Sequence, residues 1–266
     1  MFGFPEIDRS LIKDYKGNFL RSVALQIKYP KSKNIASDRE YVSSLFKAIL
    51  PRISDTKTSS LQISFNQDEK TPVLQPISSN SFGFEMKSND GAKILTVLDD
   101  TLSYSVAGSA YENFSQIQNE ISLMLSIVKK NNIEVLSRIA IRKINIVDFS
   151  LEGNDDVSPL DVAKMILNPK LVNGIDSFPM TSSITQNINT INYLEGEDRL
   201  NLIYGLLKPS ELDSKDGQVV IDIDLFKESS LSSNNLAEYF TNINNEIFNV
   251  FNWCISENAK SILKNN

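Results

Sequence analysis

Apolar residues alternate with polar ones along several stretches of this chain, and elsewhere they recur every three or four positions. Alternation through VALQIKY from Val23 and RIAIRKINIVDF from Arg138, with runs near 59–66, 80–87, 92–98, 101–106, 182–193, 198–208 and 217–226, predicts strands. Helical spacing predicts a helix after Ser37 that stops at Pro51, and further helices over 110–131, 159–167 and 235–262. The order is therefore strand, helix, three or four strands and a long helix, written twice.

The two writings share residues as well as order. Ser88-Asn-Asp90-Gly91, AKILTVL, Ser109-x-x-Glu112 and Phe114-Ser-Gln-Ile117-Gln-Asn-Glu120-Ile121 recur 126 residues later without a gap. Their counterparts are Ser214-Lys-Asp216-Gly217, QVVIDID, Asn235-x-x-Glu238 and Phe240-Thr-Asn-Ile243-Asn-Asn-Glu246-Ile247. Asp-Gly suits a tight turn, because glycine tolerates positive φ. Ser or Asn three residues before Glu suits a capping box, in which each side chain satisfies an orphan amide at the helix start. Upstream, Ser37-x-x-Glu40 and Ser158-x-x-Asp161 have the same form. We read an internal duplication, with residues 1–132 as the first unit and 133–266 as the second, packed as one pseudo-twofold domain.

The fold class read from this is α+β, with antiparallel sheet and long helices on one face. The element order resembles TATA-binding-protein-like and helix-grip folds, which implies a curved antiparallel sheet; two closed half-sheets remain the alternative. Strand alternation assigns one face to Val23, Leu25, Ile27, Leu61, Ile63, Phe65, Phe82, Phe84, Met86, Ile139, Ile141, Leu200, Leu202, Tyr204, Val219, Ile221 and Ile223. The opposite face carries Gln26, Lys28, Gln62, Ser64, Glu85, Thr96, Arg138, Arg142, Arg199, Asn201, Asp222 and Asp224. It reads either as a solvated surface or as a broad polar docking surface.

Composition narrows the chemistry. The chain has no histidine, which removes Ser-His-Asp and Cys-His catalysis and every histidine-containing metal site. The lone Cys254 forbids an intramolecular disulfide and lies inside an apolar helical arc, as a packing residue does. A net charge of −6 disfavours nucleic acid and anionic membrane as partners. The N-terminus MFGFPEIDRS lacks a basic start followed by an apolar run, and no stretch approaches the ~20 apolar residues of a membrane span, so a cytoplasmic location is expected.

Two clusters retain chemical potential. Asp222 and Asp224 stand on one strand face ~6.6 Å apart, a spacing that could hold Mg²⁺ beside a substrate phosphate. Nucleotidyltransferases place a Gly-Ser helix start shortly before such a pair, whereas Gly108-Ser109 lies in the other repeat. Arg138 and Arg142, ~13 Å apart on one face, and Arg199 could grip a carboxylate or phosphate. The plainer reading of the arginines is cross-strand pairing with Glu85, Asp222 or Asp224. Glu120 and Glu246, at matching repeat positions, suit anchors of a helix edge. In the last helix Phe248, Phe251, Trp253 and Ile255 widen the apolar arc, either for burial or as a surface for a partner or a second copy.

Arg138-x-x-x-Arg142-x-x-Asn145 and the C-terminal Ile243-Asn244-x-x-Ile247-x-x-x-Phe251-x-Trp253 are similar to motifs of a sporadically distributed family of uncharacterised bacterial proteins. Members carry histidine at the place of Asn244. The patchy distribution implies an accessory gene, such as a defence or toxin-neutralising module, and the resemblance implies no activity. Two functions stand. One is a non-enzymatic protein-binding protein, with a protein partner or a homodimer and no cofactor. The alternative is a Mg²⁺-dependent nucleotide- or phosphate-handling enzyme using Asp222/Asp224 and Arg138/Arg142.

Overall fold

A computed structural model describes residues 2–8, 10–11, 15, 17–31, 33–64, 73–153, 157–174, 184, 186–207 and 216–265, with the side chains of 33–34, 57–64 and 73–82 excepted. The strands are β1 (Leu20–Lys28), β2 (Arg52–Ser64), β3 (Val73–Lys87), β4 (Lys93–Leu98), β5 (Thr101–Ala107), β6 (Val135–Leu136), β7 (Arg138–Ser150), β8 (Asn187–Glu195), β9 (Asp198–Leu207), β10 (Asp216–Lys227) and β11 (Leu231–Ser232). The helices are α1 (Lys33–Ser37), α2 (Arg39–Phe46), α3 (Gln118–Lys130), α4 (Pro159–Ile166), α5 (Pro169–Val172), α6 (Leu236–Cys254) and α7 (Glu257–Asn265). The fold is α+β, with a nine-stranded antiparallel sheet in the order β2-β3-β4-β5-β1-β7-β10-β9-β8, and β11 paired with β6 apart from it. Among the described residues no helix is long and apolar enough to cross a membrane.

Two compact units interleave along the chain. One comprises Met1–Val23, Ile141–Lys227 and Phe240–Asn266; the other comprises Ala24–Ala140 and Glu228–Tyr239. These differ from the sequence halves 1–132 and 133–266, because β1, β7 and α6 are each divided between the units. In the Ala24–Ala140 unit, Leu25, Ile27, Phe84, Met86, Leu95 and Val97 turn inward with Val42 and Phe46 of α2 and Ile121, Met124 and Val128 of α3. In the other unit, Leu200, Leu202, Val219, Ile221 and Ile223 are buried, as are Leu160 and Ala163 of α4 and Phe240, Ile243 and Ile247 of α6. Full burial of such side chains stabilises by roughly 1.5–3 kcal/mol each. Val23, Tyr204, Ile139 and Ile141 are buried as strand alternation requires. Phe65 lies outside the described residues, as do the side chains of Leu61, Gln62, Ile63, Ser64 and Phe82.

Element order repeats, and sheet order repeats with it except for one strand: outward from β1 come β5, β4, β3 and β2, and outward from β7 come β10, β9 and β8. β5 stands between β4 and β1, whereas β10 is the direct neighbour of β7. In the gap-free register, β5 corresponds to 227–233, which ends β10, turns, and forms the short β11 in the separate sheet. The two Asp-Gly pairs also diverge. Gly91 has φ +75° and closes the β3–β4 hairpin, where the Asp90 carboxylate accepts from the Ser88 hydroxyl at 2.5 Å and the Ala92 amide at 3.0 Å. Gly217 lies within β10, and a Cβ there would stand 2.3 Å from Cζ of Phe149. It makes room for a ring instead of turning the chain.

The caps depart from the sequence expectation at all but one of the helix starts. Ser158 and Asp161 form the expected box, with the Asp161 amide donating to Ser158 Oγ at 3.3 Å and the Ser158 amide to Asp161 Oδ2 at 2.9 Å. Ser37 instead ends α1, and Asp38 precedes α2 with its carboxylate 2.8 Å from Lys130 Nζ. The helix expected from 110 begins at Gln118. Asn113, not Ser109, caps a 3₁₀ turn at Phe114–Ile117, accepting from the Gln116 amide while Gln116 accepts from the Glu112 amide. Before α6 the cap is Ser232, which accepts from the Asn234 amide. The last helix breaks after Cys254, where Ile255 bridges Leu167 and Ser256 Oγ accepts from the Ala259 amide to start α7.

Hydrogen bonds from the Ser158 hydroxyl and amide hold the Asp161 carboxyl below its ordinary range. That stabilisation is present at neutral pH and is lost as pH falls through the lowered folded value. Ser158→Ala is therefore expected to cost about 1 kcal/mol in urea denaturation at pH 7, with the difference narrowing in acid. Gly217→Ala is expected to cost roughly 1–3 kcal/mol through overpacking against Phe149, and Phe149→Leu to recover much of it. Gly91→Ala is expected to lose about 1 kcal/mol to backbone strain, with no recovery from Phe149→Leu.

Candidate functional site

The polar residues singled out from the sequence converge around β7, β10 and β9 within one unit. Arg142 on β7 grips Asp222 on β10 bidentately, Nε donating to Oδ1 at 2.9 Å and Nη2 to Oδ2 at 2.5 Å. Asp222 is only 6% exposed, so its charge is tolerated because both oxygens are engaged. Hydrogen bonding to Asp222 and the field of Asp222 and Asp224 push the Arg142 guanidinium above its ordinary value, against the effect of burial. The Arg142 side chain keeps 39% of its surface. One step along the register, Asp224 pairs with Asn201 of β9, whose amide donates weakly at 3.4 Å. Asn201 in turn pairs with Asn192 of β8.

The remaining candidates are distributed elsewhere. Arg199 folds back on its own hairpin, Nη1 donating to the Gly196 carbonyl at 2.8 Å and the Asp198 carbonyl at 3.2 Å. Arg138 belongs to the Ala24–Ala140 unit, where it pairs with Glu228 at 3.0 Å. The expectation of pairing with Glu85, Asp222 or Asp224 is thus met at Arg142, while Arg138 takes Glu228, which sequence spacing did not suggest. The third motif residue, Asn145, is buried and donates to the Ile221 carbonyl of β10 at 3.2 Å. Lys143 between them reaches Asn244 of α6 at 2.8 Å, so the two family-like motifs meet there.

Glu120 and Glu246 both anchor, each in its own unit. Glu120 is 3% exposed and accepts from Tyr104 OH at 3.2 Å and Lys93 Nζ at 3.4 Å. Burial, then the Glu120 charge and hydrogen bond, push the Tyr104 phenol upward. Glu246 accepts from the Phe2 amide at 3.0 Å and from Asn249 Nδ2 at 3.2 Å. Asn249 accepts from the Ile7 amide at 3.3 Å, and Asn252 from Tyr15 OH at 2.7 Å. This buried row at every third residue of α6 holds the N-terminal segment. Sequence reading found Glu246 and missed the two asparagines; the available signal was their i, i+3, i+6 spacing along the flank of an apolar stripe.

The aromatic arc of α6 is engaged inside the same unit. Phe4 packs edge-on to Trp253 at 5.3 Å and to Tyr193 of β8 at 5.8 Å, and Phe2 lies 6.0 Å from Tyr193. Ile255 is 1% exposed in its bridge to Leu167, so it is a packing residue and not part of an open strip. Phe248 and Phe251 are half-buried. Burial pushes the Cys254 thiol up to about 12, leaving it protonated and unreactive at neutral pH.

Both oxygens of Asp222 are bound to Arg142 in a closed ion pair, while Asp224 accepts from the Asn201 amide. Among the described residues, no group of three or more His, Cys, Asp or Glu side chains is placed to hold a metal ion. The arrangement holds the partly exposed Arg142 guanidinium beside Asp222, in the field of Asp224, with Asn201 bonded to Asp224.

Arg142→Leu leaves Asp222 buried and unpaired, and is expected to cost about 1–3 kcal/mol in urea denaturation. Arg142→Leu/Asp222→Leu is expected to recover most of that loss, giving a clear coupling energy in the double-mutant cycle. No protein-family model matches this chain, and no curated protein matches its sequence.

Proposed function

We propose that the chain is a non-catalytic, cytoplasmic protein-binding protein whose docking face is the polar side of the sheet around Arg142, Asn201, Asp224 and Asn192. The observation that carries this reading is the bidentate Arg142–Asp222 pair, which consumes the best chemical group of the face and holds the Arg142 guanidinium in one orientation. A fixed, partly exposed arginine loses little further freedom on binding, and arginine is enriched among the residues that dominate protein interfaces. The mixed charge of the neighbours suits a folded protein surface better than a phosphate backbone. The family-like motifs of β7 and α6 support an accessory role, such as a defence or toxin-neutralising module. In this reading they build the face, through Arg142–Asp222 and Lys143–Asn244, and perform no reaction.

Two measurements together test this. Calorimetry with MgATP is expected to give no binding heat; Mg²⁺-dependent nucleotide binding lost in Asp222→Asn/Asp224→Asn would overturn the reading in favour of an enzyme. Affinity capture from the native host is expected to return one stoichiometric protein with wild type and to lose it with Asn201→Arg, which sets a bulky cation at the centre of the face. Retention of the same protein by Asn201→Arg would remove this face from the account.

A further inference from the structure

The nine-stranded sheet ends on β2 and β8, and the two end strands differ in kind. β2 begins with exposed Arg52 and carries exposed Asp55, which is ion-paired with Arg39 at 2.5 Å. Charges of that sort protect an edge from pairing with another chain. β8 reads Asn-Ile-Asn-Thr-Ile-Asn-Tyr-Leu-Glu, with no proline, no glycine and no charge before Glu195. Alternate residues of β8 turn their backbone N–H and C=O groups away from β9. Among the described residues no turn or loop backbone bonds to β8. At its end stands Leu194, 68% exposed, the most exposed large apolar side chain among the described residues.

We propose that β8 is a self-pairing edge, through which two copies of this chain join antiparallel about a twofold axis at Ile191. The strand is complementary to itself in that register. Ile188 faces Leu194 of the second copy and covers it, Thr190 faces Asn192, and the single carboxylate of Glu195 faces Asn187. No like charges oppose one another, and an isologous contact of this kind closes at two subunits. Backbone pairing supplies the affinity and the apolar pair at each end fixes the register.

Sedimentation velocity of the purified chain, from micromolar to near-millimolar concentration, tests this without any third protein, so its failure is separable from failure of the Arg142-centred face. Wild type is expected to show a concentration-dependent monomer–dimer equilibrium. Thr190→Lys/Asn192→Lys sets lysine opposite lysine at two places and is expected to weaken the dimer roughly tenfold. Thr190→Lys/Asn192→Glu sets lysine opposite glutamate at the same places and is expected to keep it. Should the lysine pair fail to fold, Leu194→Lys at an already exposed position is expected to weaken dimerisation likewise. A wild-type chain that stays monomeric throughout overturns the proposal. So does a folded lysine-pair or Leu194→Lys variant that dimerises as tightly as wild type, or a Lys/Glu variant as weak as the lysine pair.

Discussion

A charged or amide side chain taken out of water must find its partners inside the protein, and much of this structure is arranged around that constraint. Asp222, Glu120, Glu246, Asn145, Asn249 and Asn252 are all buried, and each is held by a donor or acceptor from a distant part of the sequence. Apolar burial drives collapse in any register that keeps the alternation. These polar contacts discriminate among registers, because a slipped strand would strand a carboxylate. Arg142 fixes β7 against β10 in this way, and Asn145 repeats the instruction three residues further on, from the other face.

The same logic ties the N-terminal segment to the body of its unit. Residues 2–8 contribute no strand or helix, so their amides cannot be satisfied by a ladder. The α6 row supplies acceptors at Glu246 and Asn249, while Phe2 and Phe4 bury their rings against Tyr193 and Trp253. An arc that reads in the sequence as excess apolar surface is thus partly covered by the first residues of the same chain.

Period-two alternation made the sheet faces legible, because the pleat determines that property locally. The arginine pairing was half legible: Asp222 stood among the named partners of Arg142, whereas Glu228 lies 90 residues from Arg138 and at no spacing that a strand periodicity marks. Helix starts were legible only where one cap had no competitor. Ser158 won alone, but Ser109 lost to Asn113, and the break at Ser256 required Leu167 and its bridge. Gly217 was misread because its reason is the Phe149 ring, and no local pattern announces a neighbour 68 residues away. The place of β5 between β4 and β1 is likewise a property of long-range pairing, so similar runs of elements lead to strand orders that differ by one inserted strand.

The most direct test of the central claim is the Arg142 Nε–H resonance in a proton–nitrogen spectrum, followed through additions of Mg²⁺ and of inorganic phosphate. If Asp222 is occupied as described, that proton is expected to be slow to exchange and to keep its position through both titrations. A shift with Mg²⁺ would mean that the carboxylate leaves arginine for a metal, and a shift with phosphate that the guanidinium is an open anion site. Either result would contradict a face built on a closed ion pair.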